Sequence, residues 1–340
     1  MWTAILNGRG GNYMFRWGIM GGGFISSQFA RGLEEVADMQ VEVLASKSGR
    51  NDYGIQAKKY CRSYEELVSD ENVDAVYVGT IHPQHLACVK ACLEAKKPVL
   101  CEKPVTMNAR ELEELLCLAR ENHTFFMEAM WTRFIPVMRE LRKEIQEGVY
   151  GKVHNMHFTF GGPAKPETRR LFEAELGGGA LLDVGVYGVS VAQYLLGETP
   201  EVIHAWSEKN EETVDLNTCI QMTYPCGCLA DMVFSINRKV DNRAVIITDK
   251  AELEIPYFWR PNTVYLFEPN EDFRTDMLKE KRVVEVAGNG YHYEALEVQK
   301  MLKEGQTESP VMPWEESLQI MRELDDIRRM CGIRYPQDIE

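Results

Sequence analysis

Phe15-Arg16-Trp17-Gly18-Ile19-Met20-Gly21-Gly22-Gly23-Phe24-Ile25-Ser26 is the stretch whose reading decides the fold. An apolar run reads as a first strand, three glycines as a tight turn, and residues 25–36 as a helix. A glycine turn in that place lets backbone N–H groups and a helix N-terminus face a pyrophosphate. Ser26 takes the third small position, and Gly21, Gly23, Phe24 and Ile25 are the expected contacts of a dinucleotide. Working outward, strands are expected over 40–45, 75–79, 98–101 and 124–129, with helices over 53–60 and 85–96. Asn108-Ala109-Arg110-Glu111 reads as a capping box that opens another helix. Strands alternating with helices at this pitch predict a doubly wound parallel sheet of α/β class.

After Pro136 the pattern changes. One helix runs to Gly148, and then strands are expected over 153–160, 202–207, 218–224, 228–236, 244–248, 251–255 and 263–267. Helices are expected over 179–196, 291–304 and 314–330. This is the signature of an α+β domain with a large open, mostly antiparallel sheet. The expected division is a dinucleotide-binding domain over 14–133, a substrate-binding and oligomerisation domain over 134–340, and an extra arm over 1–13.

Composition narrows the function. A chain of 340 residues suits two packed domains. The net charge of −14 argues against nucleic acid or an anionic membrane as partner, since both need a basic face. No apolar run approaches the roughly 18 residues of a membrane span, and no signal-peptide stretch opens the chain. Nine cysteines without framework spacing read as reduced thiols of a cytoplasmic protein. Cys226-Gly227-Cys228 has no second ligand pair, so no metal site is expected.

The loop after the second strand is Ala45-Ser46-Lys47-Ser48, with Arg50 close behind. It lacks the carboxylate that would bind an adenosine ribose and repel a 2′-phosphate. Ser46, Lys47 and Arg50 therefore favour NADP, with NAD possible if the loop is merely solvated. Thr80, His82 and His85 follow another strand at the same edge, His82 near the expected nicotinamide and His85 at a helix start, where it can order the turn. Cys101-Glu102-Lys103-Pro104 ends an apolar run, which sets Glu102 and Lys103 at the ligand edge of the sheet. Asp183-Val184-Gly185-Val186-Tyr187 lies in a helical pattern, and four residues put Asp183 and Tyr187 on one face. A lysine, a tyrosine and a carboxylate beside a nucleotide can remove a proton as hydride leaves the adjacent carbon. Trp131 reads as a wall for cofactor and substrate or as an interface aromatic, Arg133 as a cofactor ligand or a structural cation. Phe160 and Tyr291 suit either a substrate pocket or the core.

From residue 15 onward the chain resembles the family of glucose–fructose oxidoreductase, inositol dehydrogenase and rhizopine catabolism. Glu102-Lys103-Pro104 is the most specific piece. Many members carry Asp-x-x-x-His on the catalytic helix, where this sequence has Asp183-x-x-x-Tyr187. That departure is similar to the branch of dimeric dihydrodiol dehydrogenases and NADP-dependent D-xylose dehydrogenases. Met127-Glu128-Ala129-Met130-Trp131-Thr132-Arg133-Phe134, Tyr293-Glu294-Ala295 and the ending Gly332-Ile333-Arg334-Tyr335-Pro336 fit that branch as well. The resemblance implies an N-terminal Rossmann domain, a C-terminal sheet that forms oligomer contacts, and a likeness to homodimers. It implies catalysis by Lys103, Asp183 and Tyr187 on a small sugar or vicinal diol.

A free tyrosine ionises near pH 10, so service as a base near neutrality takes a shift of about three pH units, ~4 kcal/mol. The ammonium of Lys103 within reach could supply much of it. Tyr187 then takes the hydroxyl proton, Lys103 polarises the same oxygen, and Asp183 holds a neighbouring hydroxyl or orients the pair. Lys103 as the proton carrier is the alternative. Two rival functions remain in view: a reductase of keto-sugars or dicarbonyls, and a non-catalytic sugar or nucleotide sensor.

Overall fold

The structure, a computed structural model, describes residues 13–165, 167–211, 213–268 and 277–338; apart from Tyr13, the arm expected over 1–13 lies outside these. The chain divides into two compact units. One holds the chain up to Trp131 together with Ala287–Leu318, the other Thr132–Val286 and the chain from Gln319. The expected second domain began at 134 and ran unbroken to the end, and the return of 287–318 to the first unit departs from it. The reason is a helix that packs where no side chain stands in its way. A Cβ at Gly32 would lie 2.9 Å from Asn289 Oδ1 and from Tyr291 Cβ. Asn289 donates to the Gln28 carbonyl (2.7 Å) and Gln299 to Asp38 (3.1 Å).

The first unit is built on β1 (Phe15–Met20), β2 (Met39–Ala45), β3 (Lys59–Cys61), β4 (Ala75–Val78), β5 (Val99–Glu102) and β6 (Phe126–Ala129). All pair in parallel, in the order β3-β2-β1-β4-β5-β6. Strands β4, β5 and β6 are buried at every position, as a parallel sheet covered on both faces requires. Around them run α1 (Phe24–Leu33), α2 (Tyr64–Ser69), α3 (His85–Glu94), α4 (Ala109–Asn122) and, after the second unit, α7 (His292–Lys303). The Asn108 cap is as expected: its side chain accepts from the Glu111 N–H at 2.9 Å, and Glu111 accepts from the Met107 N–H at 3.0 Å.

The helix expected over 53–60 does not form. Asn51 instead bonds both the N–H (2.8 Å) and the carbonyl (2.9 Å) of Ile55, a side-chain turn that displaces the helical ladder. The unforeseen helix α2 starts four residues later, where Ser63 accepts from the Glu66 N–H at 3.1 Å.

The second unit has an eight-stranded sheet in the order β14-β13-β12-β11-β7-β10-β9-β8. Its strands are β7 (Val153–Gly161), β8 (Val202–Lys209), β9 (Asp215–Thr223), β10 (Leu229–Ser235), β11 (Arg243–Thr248), β12 (Glu252–Pro256), β13 (Thr263–Glu268) and β14 (Met277–Val283). Every pair is antiparallel except β7 with β10. The edge strand β14, rich in charge, was not foreseen. α5 (Pro136–Gln146) and α6 (Val186–Leu196) belong to this unit, and the division falls within α8 (Trp314–Cys331).

One face of this sheet is core: Met156, Phe158, Ile220, Met222, Met232, Phe234, Ile246, Leu253 and Ile255 are buried. The other is mixed. It carries Val202, Trp206 (62 % exposed) and Leu229 beside the pairs His157–Asp231 (2.6 Å) and Arg243–Glu254 (3.0 Å). Only one face of this sheet is thus uniformly apolar. One segment, Ala174–Leu196, does reach the length and hydropathy of a membrane span, unlike the expectation that none would. Most of it is buried inside the unit, which accounts for its composition.

Candidate active site

The glycine turn is shaped for an anion. Gly21 has φ +97°, and a Cβ there would meet the Gly79 carbonyl at 2.8 Å, so no other residue fits between β1 and β4. Gly23 caps α1 without a side-chain acceptor, and a Cβ added to it meets nothing within 4 Å. The first N–H groups of α1 therefore face open space, where a diphosphate can accept from them. Phe24 is exposed beside them, against Tyr53 (5.7 Å, edge-on), and Ile25 is half-buried.

The loop after β2 brings together Ser46 and Ser48, whose hydroxyls lie 3.3 Å apart, and Arg50, whose N–H donates to Ser48 at 3.3 Å. Lys47 lies over the Tyr64 ring at 4.6 Å. Arg62 joins this loop: a Cβ at Gly49 would lie 2.8 Å from its guanidinium nitrogens. Sequence reasoning missed Arg62, because it arrives from β3 and only the pairing of β2 with β3 delivers it. No carboxylate stands among these five side chains. They stand around the loop after β2, where the adenosine end of a nicotinamide dinucleotide is expected to lie.

At the next strand end, Thr80 and His82 follow β4, the His82 ring 5.8 Å from that of His85. His85 is fully buried, with Nδ1 2.9 Å from the Pro104 carbonyl and Nε2 3.1 Å from the Thr80 carbonyl. Burial pushes its pKa down to about 4. A side chain so enclosed touches no cofactor. His85 thus orders the turn, as its place at a helix start suggested, and is not a cofactor contact: it braces the turn after β4 against the turn after Lys103. Glu102 ends β5 nearly buried, held by the Tyr77 hydroxyl, and Lys103 follows it.

Trp131 and Tyr291 stack on each other at 4.2 Å and 11°, both mostly buried, after β6 and before α7. Arg133, the other residue offered as a cofactor ligand, is fully buried in the second unit. Its Nε donates to the Ser190 hydroxyl and its Nη2 to the Ser190 carbonyl, each at 3.0 Å. It ties α6 in place, and a guanidinium so enclosed is no cofactor ligand.

In the second unit the segment that carries Asp183 and Tyr187 begins with a turn of π-helix, Leu181–Gly185, that runs into α6. Its start is fixed by Asp215 of β9, whose Oδ2 accepts from the Leu181 N–H (2.7 Å) and the Thr218 hydroxyl (2.6 Å). Burial raises the Asp215 carboxyl to about 6. π-Turns are wide and occur often at functional positions. Here the turn carries Asp183, which pairs with Arg170 Nη1 at 2.9 Å. Tyr187 follows within the first turn of α6, its ring 5.7 Å from Phe160, which stacks flat on Trp259 at 3.6 Å and 10°. Arg170 and Trp259 were not anticipated, since neither lies in a motif and both reach the segment through the fold.

Residues 15–130 match an oxidoreductase family with an NAD-binding Rossmann fold, and 138–254 match the GFO/IDH/MocA C-terminal domain. The chain belongs to the GFO/IDH/MocA oxidoreductase family. It is 35 % identical over 335 residues to the trans-1,2-dihydrobenzene-1,2-diol dehydrogenase of Bos taurus, covering 95 % of this chain and 98 % of that one. The enzyme of the same name from Xenopus laevis is 36 % identical over 329 residues, covering 94 % and 99 %. Among solved structures, a 3-ketoreductase from Actinomadura kijaniata with NADP and TDP-benzene superposes with TM-score 0.81 at 24 % identity, covering 93 % and 98 %. A levoglucosan dehydrogenase with NADH and levoglucosan gives 0.80 at 18 %, covering 94 % and 97 %. The chain is thus an oxidoreductase of a family whose Rossmann domain binds a nicotinamide dinucleotide. A bound nicotinamide supplies the hydride acceptor or donor, and the Gly21–Gly23 turn with α1 would hold its diphosphate.

Proposed function

We propose that this GFO/IDH/MocA oxidoreductase is an NADP-dependent dehydrogenase of cyclic vicinal diols or sugars. The observation that carries the substrate reading is the surrounding of Tyr187. One helical turn before it, Asp183 offers a carboxylate to a hydroxyl. Next to its ring lies the flat Phe160–Trp259 pair, a surface for the apolar face of a substrate ring. A ring that bears adjacent hydroxyls meets both demands, and the dehydrogenases of Bos taurus and Xenopus laevis carry a substrate of that kind in their name. The NADP reading rests on Ser46, Lys47, Ser48, Arg50 and Arg62 around a loop with no carboxylate.

In this mechanism Tyr187 accepts a hydroxyl proton, and Lys103 stabilises charge that develops beside the nicotinamide. Asp183, kept in place by Arg170, binds the neighbouring hydroxyl. His85 acts at a distance, by holding the Pro104 carbonyl next to Lys103. The same residues serve reduction of a ketone in the reverse direction. Nine thiol cysteines support a reducing, cytoplasmic setting. The exposed Trp206, Val202 and Leu229 support a homodimer through the mixed face of the second sheet. The deciding experiment is NADPH fluorescence with a panel of trans-cyclic diols, aldoses and inositols. No turnover in either direction with any of them would overturn the proposal.

A further inference from the structure

Next to the Lys103 turn the first unit buries two carboxyls that the reaction does not employ. Glu102, the last residue of β5, is 6 % exposed and accepts a hydrogen bond from the Tyr77 hydroxyl. Glu294, in the first turn of α7, is fully buried, and neither of its oxygens meets a donor among the described residues. Burial first, and the charge of Glu102 second, push the Glu294 carboxyl well above the usual carboxylate range. The same two carboxyls, together with burial and Tyr291, push the Tyr77 phenol up. The Phe29 ring stacks on Tyr77 at 3.9 Å and 4°. Glu102, Tyr77 and Tyr291 are thus the titratable groups that face this site.

Two anions side by side in so dry a place are too costly to persist; one proton between them removes the conflict. Its location follows from the partners. Glu102 already receives the Tyr77 hydroxyl and is the better anion. Glu294 has no donor to stabilise a charge, so the proton resides on it. A carboxylic acid is itself a donor, and Glu102 is the acceptor within its electrostatic reach.

We propose that Glu294 is a neutral carboxylic acid that donates to Glu102, and that the chain Tyr77–Glu102–Glu294 fixes the end of β5 and with it the position of Lys103. Glu294 is then a positioning residue, and this inference rests on the role proposed above for Lys103. Two donors converging on Glu102 from β4 and from α7 hold its side chain, and the next residue in the chain is the lysine. The design explains why a helix from the far end of the sequence returns to the first unit with a glutamate on its buried side.

Infrared difference spectroscopy on the ligand-free protein at neutral pH tests the proton directly. The wild type should show the carbonyl stretch of a protonated carboxylic acid, and Glu294→Gln should lose it. Absence of any band dependent on Glu294 would overturn the proposal, whatever the enzyme's substrate. Kinetics test the positioning. Glu294→Leu, which fills the space but cannot donate, should lower kcat about tenfold, the scale of one lost hydrogen bond, with KM for NADP little changed. Glu294→Gln, whose amide can donate to Glu102, should restore kcat to within about threefold of wild type. A leucine variant that is folded and as active as the glutamine variant would refute the positioning role. Failure of the functional reading looks different: the wild type would bind NADP and show the infrared band, yet oxidise no diol or sugar.

Discussion

Asp215 links the pH dependence of stability to the segment that carries Asp183 and Tyr187. Its carboxyl lies fully buried and is raised from 3.8 to about 6, burial being the main cause. A folded-state pKa above the unfolded one means that the native protein keeps a proton the unfolded chain has released. Stability from this group therefore falls as pH rises from about 4 to about 6, and is flat above. Two pH units and a little more, at about 1.4 kcal/mol each, give about 3 kcal/mol. Asp215→Asn removes the titration and keeps the shape, because the amide oxygen can accept from the Leu181 N–H and the Thr218 hydroxyl. Other carboxyls titrate in the same window, but they are common to both proteins and cancel in the difference. Urea unfolding of both proteins between pH 4 and 7 should show the variant gaining about 3 kcal/mol on the wild type across that range. Asp215→Leu, which takes away the acceptor, should instead cost about 1–3 kcal/mol near pH 4, where the folded wild-type carboxyl keeps its proton. A difference between wild type and Asp215→Asn that does not change with pH would refute the reasoning, because it would mean that Asp215 ionises alike in both states.

Three further outcomes are expected. NADP should bind at least about tenfold tighter than NAD in fluorescence titrations, a modest ~1.4 kcal/mol for charge-assisted contacts to the 2′-phosphate, and equal affinities would defeat that reading. Lys103→Met should leave less than about a tenth of wild-type turnover with cofactor affinity largely kept, whereas a mild loss in Tyr187→Phe would move the proton to Lys103. Light scattering at micromolar concentration should give twice the 38.9 kDa of one chain, and substitution of Trp206 by glutamate should shift the mass toward the single chain.

The architecture was legible because periodicity carries it. Alternating short apolar runs and amphipathic stretches predicted every strand of the first sheet except β3, whose three half-exposed residues have no apolar run to betray them. The helix wrongly expected over 53–60 and the overlooked α2 share one cause. Side-chain hydrogen bonds of Asn51 and Ser63, each worth about 1 kcal/mol, decide short segments that propensity alone leaves balanced. The return of α7 to the first unit was invisible for another reason: the close approach of Tyr291 to Gly32 joins positions far apart in the chain, and nothing local in either records it.

The site divides along the same line. Residues inside motifs were legible as candidates: the Gly21–Gly23 turn, Ser46 to Arg50, Glu102 and Lys103, Asp183 and Tyr187. Residues that act on those motifs from elsewhere were missed or given the wrong role. Arg62 comes from just past β3, Arg170 from the short 3-10 helix Arg169–Leu171, Trp259 from the turn after β12, and Asp215 from β9. His85 and Arg133 stand next to motifs yet are wholly buried, and burial turns a residue type that looks like a ligand into a brace. A polar side chain in a sequence shows its chemistry but not its surroundings. In this protein the surroundings decide whether an imidazole binds a cofactor or holds the turn beside a lysine. They also decide whether a carboxyl is an anion at all: burial raises Asp215 to about 6 and lifts Glu294 well above its ordinary range, although both look like common acidic residues in the chain. The reactive groups are written in motifs; what sets their positions and charges is the packing of distant polar residues around them.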